Sequence, residues 1–85
     1  MAAWGITDMK ITGDYVISVK FLDGTEGEIK FLPTFFRGVF SHLQDQSQFQ
    51  QVTVIDGVVT WPGGLDLAPD AMHNELIKNG QWLLT

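Results

Sequence analysis

The run Tyr15-Val16-Ile17-Ser18-Val19-Lys20-Phe21-Leu22-Asp23-Gly24-Thr25-Glu26-Gly27-Glu28-Ile29-Lys30-Phe31 decides the fold. Side chains on a strand alternate between faces, so Tyr15, Ile17, Val19 and Phe21 form one apolar face while Ser18 and Lys20 point the other way. Asp23-Gly24 separates this run from the next, a strong hairpin signal. A two-residue loop there would set Val19 opposite Glu28 and Ile17 opposite Lys30, mixing core with charge along a whole strand. A three-residue loop, Leu22-Asp23-Gly24, instead pairs Phe21 with Thr25, Val19 with Gly27, Ile17 with Ile29 and Tyr15 with Phe31. It also sets Lys20 opposite Glu26 on the outer face and gives Gly24 the left-handed position of a bulged turn. The pattern predicts the bulged loop.

Working outward, Gly13-Asp14 marks an earlier turn, so residues 7–12, 15–21 and 25–31 read as a three-strand meander. A second hairpin follows at residues 51–55 and 58–61 around Asp56-Gly57. Here a two-residue turn works directly, with Val54 meeting Val59 and Val52 meeting Trp61. Between the hairpins, Pro33 ends the third strand and Thr34 can cap a helix with apolar positions Phe36, Val39, Phe40 and Leu43. Gly38 weakens that helix by about 1 kcal/mol. Phe35 either completes the same face or packs on the sheet end. The glutamine-rich run 44–51 reads as helix end and loop, with Phe49 as an anchor. Pro62-Gly63-Gly64 stops the sheet. Asp66 or Ala68 then precedes Pro69 at the first turn of a short second helix carrying Met72, Leu76 and, as a further candidate, Ile77. Lys78 lies in its last turn and Gly80 is its C-cap. Trp82, Leu83 and Leu84 make the tail too apolar to be left free in water. The expectation is one α+β domain over residues 1–85, a mainly antiparallel sheet of about five strands with one longer helix and one short C-terminal helix.

Composition narrows the function. The 85 residues contain ten acids against five bases and no cysteine. Disulfides, thiolate nucleophiles and zinc knuckles are excluded by the missing cysteines. The acidic balance opposes polyanions, so no direct contact with nucleic acid or an anionic membrane is expected. Neither a membrane-spanning run nor a secretory leader is read, and a cytoplasmic location is expected. With three Trp, six Phe and one Tyr but few interleaved bases, the aromatics read as core rather than a base-stacking platform. Trp4, Trp61 and Trp82 are the ones expected to be partly exposed, as at a protein interface.

Catalytic constellations are sparse. Ser41 and His42 are helical neighbours that diverge by about 100° and cannot align as nucleophile and base. Gly63-Gly64 lacks the Lys-Ser/Thr pair of a phosphate loop and is followed by Asp66. Glu26 and Glu28 read as a solvated strand face balanced by Lys20 and Lys30. The strongest candidate is Asp66, Asp70 and His73, whose spacings of four and three put them along one helical face. They suit a divalent cation or a small ligand, whereas helix-capping by Asp66 and Asp70 explains the carboxylates without one. Capping is the reading adopted, with no metal and no cofactor expected.

The motifs together carry a resemblance. Tyr15-Val16, Phe21-Leu22-Asp23-Gly24, Gly38-Val39-Phe40 with Leu43, Phe49, and above all Trp61-Pro62-Gly63-Gly64-Leu65-Asp66-Leu67-Ala68-Pro69-Asp70 resemble the small bacterial domain-of-unknown-function family 2442. The likeness runs from about Ile6 to Asn74. It departs mildly at Met72 and His73, where members often carry an aromatic residue. It implies an α+β domain with no established catalytic activity. Members occur alone or joined to a C-terminal helix-turn-helix, and the lone forms are often encoded beside another small protein, an arrangement that suggests toxin–antitoxin-like pairing. With the chain ending at Thr85, the resemblance implies action through a protein partner rather than DNA. The expectation is therefore a non-catalytic interaction module, antitoxin-like or homodimeric, with Trp61, Pro62, Gly63, Gly64, Asp66, Asp70 and Trp82 as its contact residues. The alternative is ligand or metal chemistry at Asp66, Asp70 and His73.

Overall fold

The meander forms as its side-chain alternation requires. In the computed structural model, which describes residues 5–85, β1 (Ile6–Gly13), β2 (Val16–Phe21) and β3 (Glu26–Phe31) run antiparallel. Ile17 faces Ile29, Val19 faces Gly27 and Lys20 faces Glu26. The Phe21 amide donates to Thr25 across the loop at 2.7 Å, and Gly24 holds φ 92°, the bulged turn expected. The preceding turn is shifted by one residue. It falls on Asp14-Tyr15, with Tyr15 at φ 58° rather than inside the strand. A left-handed tyrosine costs of order 1–3 kcal/mol. Its ring offsets this by packing on Phe36 and Phe49, centroids 4.9 and 5.3 Å away, while the hydroxyl donates to the Gln44 carbonyl.

The expected single sheet of about five strands is instead two sheets of four and three strands. The first gains β7 (Gln81–Leu84), the apolar tail, which pairs parallel to β3 with Ile29 against Trp82 and Phe31 against Leu84. The second contains β4 (Thr53–Ile55) and β5 (Val58–Trp61), in the expected register of Val54 to Val59, and also β6 (Leu65–Asp66). Asp56 at φ 52° and Gly57 at φ 79° make the tight two-residue turn. Pro62-Gly63-Gly64 does not stop the sheet: with φ 94° and 85° the glycines turn the chain back, so that Leu65 pairs with Trp61.

The helices also differ from expectation. No long helix forms after Thr34. The segment contains two 3₁₀ turns, Pro33–Phe35 and Gly38–Gln44, and then one turn of α1 (Gln46–Phe49). Gly38 at φ 59° breaks the helical path, leaving Val39 69% exposed while Phe36 and Leu43 stay buried. Asp45 starts α1 by accepting from the Ser47 hydroxyl at 2.8 Å and the Ser47 amide at 2.9 Å, which in that order lower its pKa. The longest helix is the C-terminal one, α2 (Pro69–Asn79), ended by Gly80 at φ 74°. Its buried stripe is Met72, His73 and Leu76. Ile77 sits about 140° around the axis from Met72 and is exposed.

One apolar cluster joins both sheets, and rings dominate it. Trp61 on β5 meets Phe31 on β3 edge-on at 5.8 Å, and its indole N–H donates to the Phe49 carbonyl at 3.0 Å. On the other flank α2 packs directly over Gly27. A Cβ there would stand 2.4 Å from the Gly80 oxygen and 2.7 Å from a Leu76 methyl, so only glycine allows this approach.

Candidate functional site

The most developed polar constellation spans the β2–β3 turn and α2. His73 is buried because it shares a stripe with Met72 and Leu76, and a buried imidazole requires a polar partner. That partner comes from across the fold. Nε2 lies 2.7 Å from the Asp23 carboxylate and 3.4 Å from the Thr25 hydroxyl, and Phe21 meets the ring edge-on at 5.0 Å. The carboxylate only accepts, so Nε2 carries the donated proton. The other Asp23 oxygen takes the Thr25 amide at 3.0 Å. This backbone bond first, and His73 second, lower the Asp23 pKa from 3.8 to about 2.

The geometry is structural in character. A nucleophile–base–carboxylate relay needs the nucleophile and the carboxylate on opposite ring nitrogens. Here Thr25 and Asp23 both meet Nε2, so the imidazole cannot pass a proton between them. The cluster fastens the β2–β3 turn to α2.

Asp66, Asp70 and His73 are not brought together. The helix begins at Pro69, so Asp66 precedes it and lies exposed on β6 opposite Thr60; it neither caps α2 nor shares a face with His73. Ala68 occupies the N-cap position without a side-chain bond. Asp70 does serve the first turn, its carboxylate accepting from the Ala71 amide at 2.9 Å. Among the described residues, no three His, Cys, Asp or Glu side chains group where a metal could be shared.

The proposed contact residues scatter as well. Trp61, expected at the surface, is 1% exposed, because β5 carries it into the junction between sheets. Pro62, Gly63 and Gly64 form the exposed β5–β6 turn. Trp82 is half-buried on β7, in the other sheet, and Trp4 lies outside the described residues. Two surface hollows are open to solvent. One of about 330 Å³ lies along β1 and β2 beside Asp8, Lys10 and Lys20, and one of about 380 Å³ lies beside Glu75 and Leu83. Neither touches Trp61, Asp66, Asp70 or His73. Among the described residues, no helix is long and apolar enough to cross a membrane.

Sequence reasoning missed the Asp23–His73 pair. The available signal was His73 itself, one residue from Met72 on a face that must be buried. The partner itself comes from the β2–β3 turn, fifty residues away in sequence.

Neither the curated proteins nor the solved structures contain a match to the chain. A family model does match, over residues 6–78. With most of its length covered, including the β2–β3 turn, the Trp61–Asp70 stretch and nearly all of α2, the chain belongs to the family described as "Protein of unknown function (DUF2442)".

Proposed function

We propose that the domain is a non-catalytic, regulatory protein-interaction module of a bacterial cytoplasm, working as the antitoxin-like partner of a small protein encoded beside it. The supporting observation is the open flanks of the four-stranded sheet. β1 and β7 are its outer strands, with Ile11 39% and Leu83 49% exposed. Outer strands offer backbone hydrogen bonds to an added strand and apolar side chains to a docking surface. The buried imidazole and its carboxylate are spent on each other, which favours contact over chemistry. The net charge of −5 would speed encounter with a basic protein, without direct contact to nucleic acid or membrane.

The test is co-expression of the tagged chain with the product of the adjacent gene. Retention through purification, weakened by rising salt, is the expected result. Two proteins that elute separately at low salt would remove the reading's main support.

A further inference from the structure

We propose that β1 is the interface of a symmetric homodimer, in which two copies pair this strand antiparallel about Met9 and merge their four-stranded sheets into one. The proposal rests on the interaction reading and adds to the neighbouring protein a further partner, a second copy of this chain.

Backbone direction comes first. Phe31 donates to Tyr15 at 2.9 Å and Phe21 to Thr25 at 2.7 Å, so alternate residues of β2 aim their backbone groups at β3. Ser18 and Lys20, between them, aim theirs at Lys10 and Asp8 of β1. Met9 and Ile11 therefore turn their N–H and C=O groups to the outer side. Nearer the start of β1 that side is occupied, because Ile6 donates to the Gly57 carbonyl at 3.0 Å. Among the described residues, the register shifts after Ile6 and after Ile11 bound the open window to residues 8–11.

Charge then selects the occupant. Asp8 and Lys10 share the solvent face of β1, and Met9 and Ile11 share the other. Antiparallel pairing centred on Met9 sets Asp8 opposite Lys10 of the second copy, and Lys10 opposite its Asp8. Centring on Asp8 or Lys10 sets like charges face to face, and a one-residue offset swaps the faces. In the Met9 register the two Met9 residues exchange backbone hydrogen bonds. The charge pairs then fall at the positions where opposed side chains stand closest. A lysine on an outer strand ordinarily guards it against pairing. Here a second copy supplies the carboxylate that neutralises it. The overlap is short against the roughly 1,200 Å² of a stable complex, so the dimer is a weak one.

Sedimentation equilibrium from micromolar to millimolar chain is the test, with circular dichroism confirming that each variant folds. Wild type is expected to show a monomer–dimer equilibrium. Asp8→Lys and Lys10→Asp should each weaken it about tenfold, the double swap should restore it, and the two single variants mixed should pair with each other. On wild type alone, hydrogen exchange at the Met9 amide should slow as concentration rises. A chain monomeric at millimolar concentration, a dimer indifferent to the reversals, or a double swap that restores nothing would overturn the proposal. If the neighbouring protein binds a strictly monomeric chain, the homodimer fails and the interaction reading survives. If nothing binds in either experiment, both fall.

Discussion

The four-stranded sheet is closed in opposite ways at its two ends. At the Phe31 end rings meet rings: Phe49, Trp61 and Phe36 stand with centroids 5.1, 5.8 and 6.2 Å from Phe31. At the Phe21 end a ring meets an imidazole, held from the far side by a partly exposed carboxylate. Shape and buried area govern the first closure. Backbone proximity and charge govern the second, so the Asp23–His73 fastening responds to pH. One small core thus uses two kinds of fastening, and they fail under different insults.

Removing the ring end should cost most. Trp61→Ala deletes the side chain joining the sheets and strips the Phe49 carbonyl of its indole donor, an expected loss of about 3–5 kcal/mol in urea denaturation. A loss under about 1 kcal/mol would show that the sheets are joined elsewhere. Next comes the seat of α2. Gly27→Ala forces a methyl against the Gly80 oxygen and Leu76, and about 1–3 kcal/mol should be lost as α2 lifts from the sheet. A neutral result would mean that α2 shifts freely.

The polar fastener is sharpened by pH. The pKa of Asp23 is depressed on folding, so its contribution is fully present above 3.8 and disappears as pH falls through about 2. Asp23→Asn should therefore lower stability near neutrality by less than either substitution above, and flatten the acid limb between pH 4 and pH 2. Parallel acid limbs in both proteins would refute the assignment. The smallest effect is expected at Val39→Ser, within about 0.5 kcal/mol, since that side chain is 69% exposed. A large loss there would mean that the segment after Thr34 packs as the helix its spacing suggests.

Short-range signals were legible wherever one face of a strand had to be apolar. Asp23-Gly24 and Asp56-Gly57 led to their turns because a slip of one residue would expose Val19 or Val54. Residues 33–44 misled because Phe36, Val39, Phe40 and Leu43 keep helical spacing, whereas Gly38 at φ 59° and a bed of rings favour tighter turns. Trp61 was misplaced for a related reason. Its motif neighbours are exposed, but strand alternation turns Trp61 itself inward. At the polar site, His73 was noticed and its partner was not, because Asp23 is fifty residues away in sequence.

Local chemistry by itself determined the meander, both turn types, the C-terminal helix and its glycine cap, since each depends on neighbours within a few residues. Tertiary packing decided that the tail becomes a strand parallel to β3, that the second hairpin forms its own sheet, and that His73 meets Asp23. Those outcomes depend on which distant surfaces fit without voids and without unpaired buried polar groups, a condition that spacing along the chain does not encode.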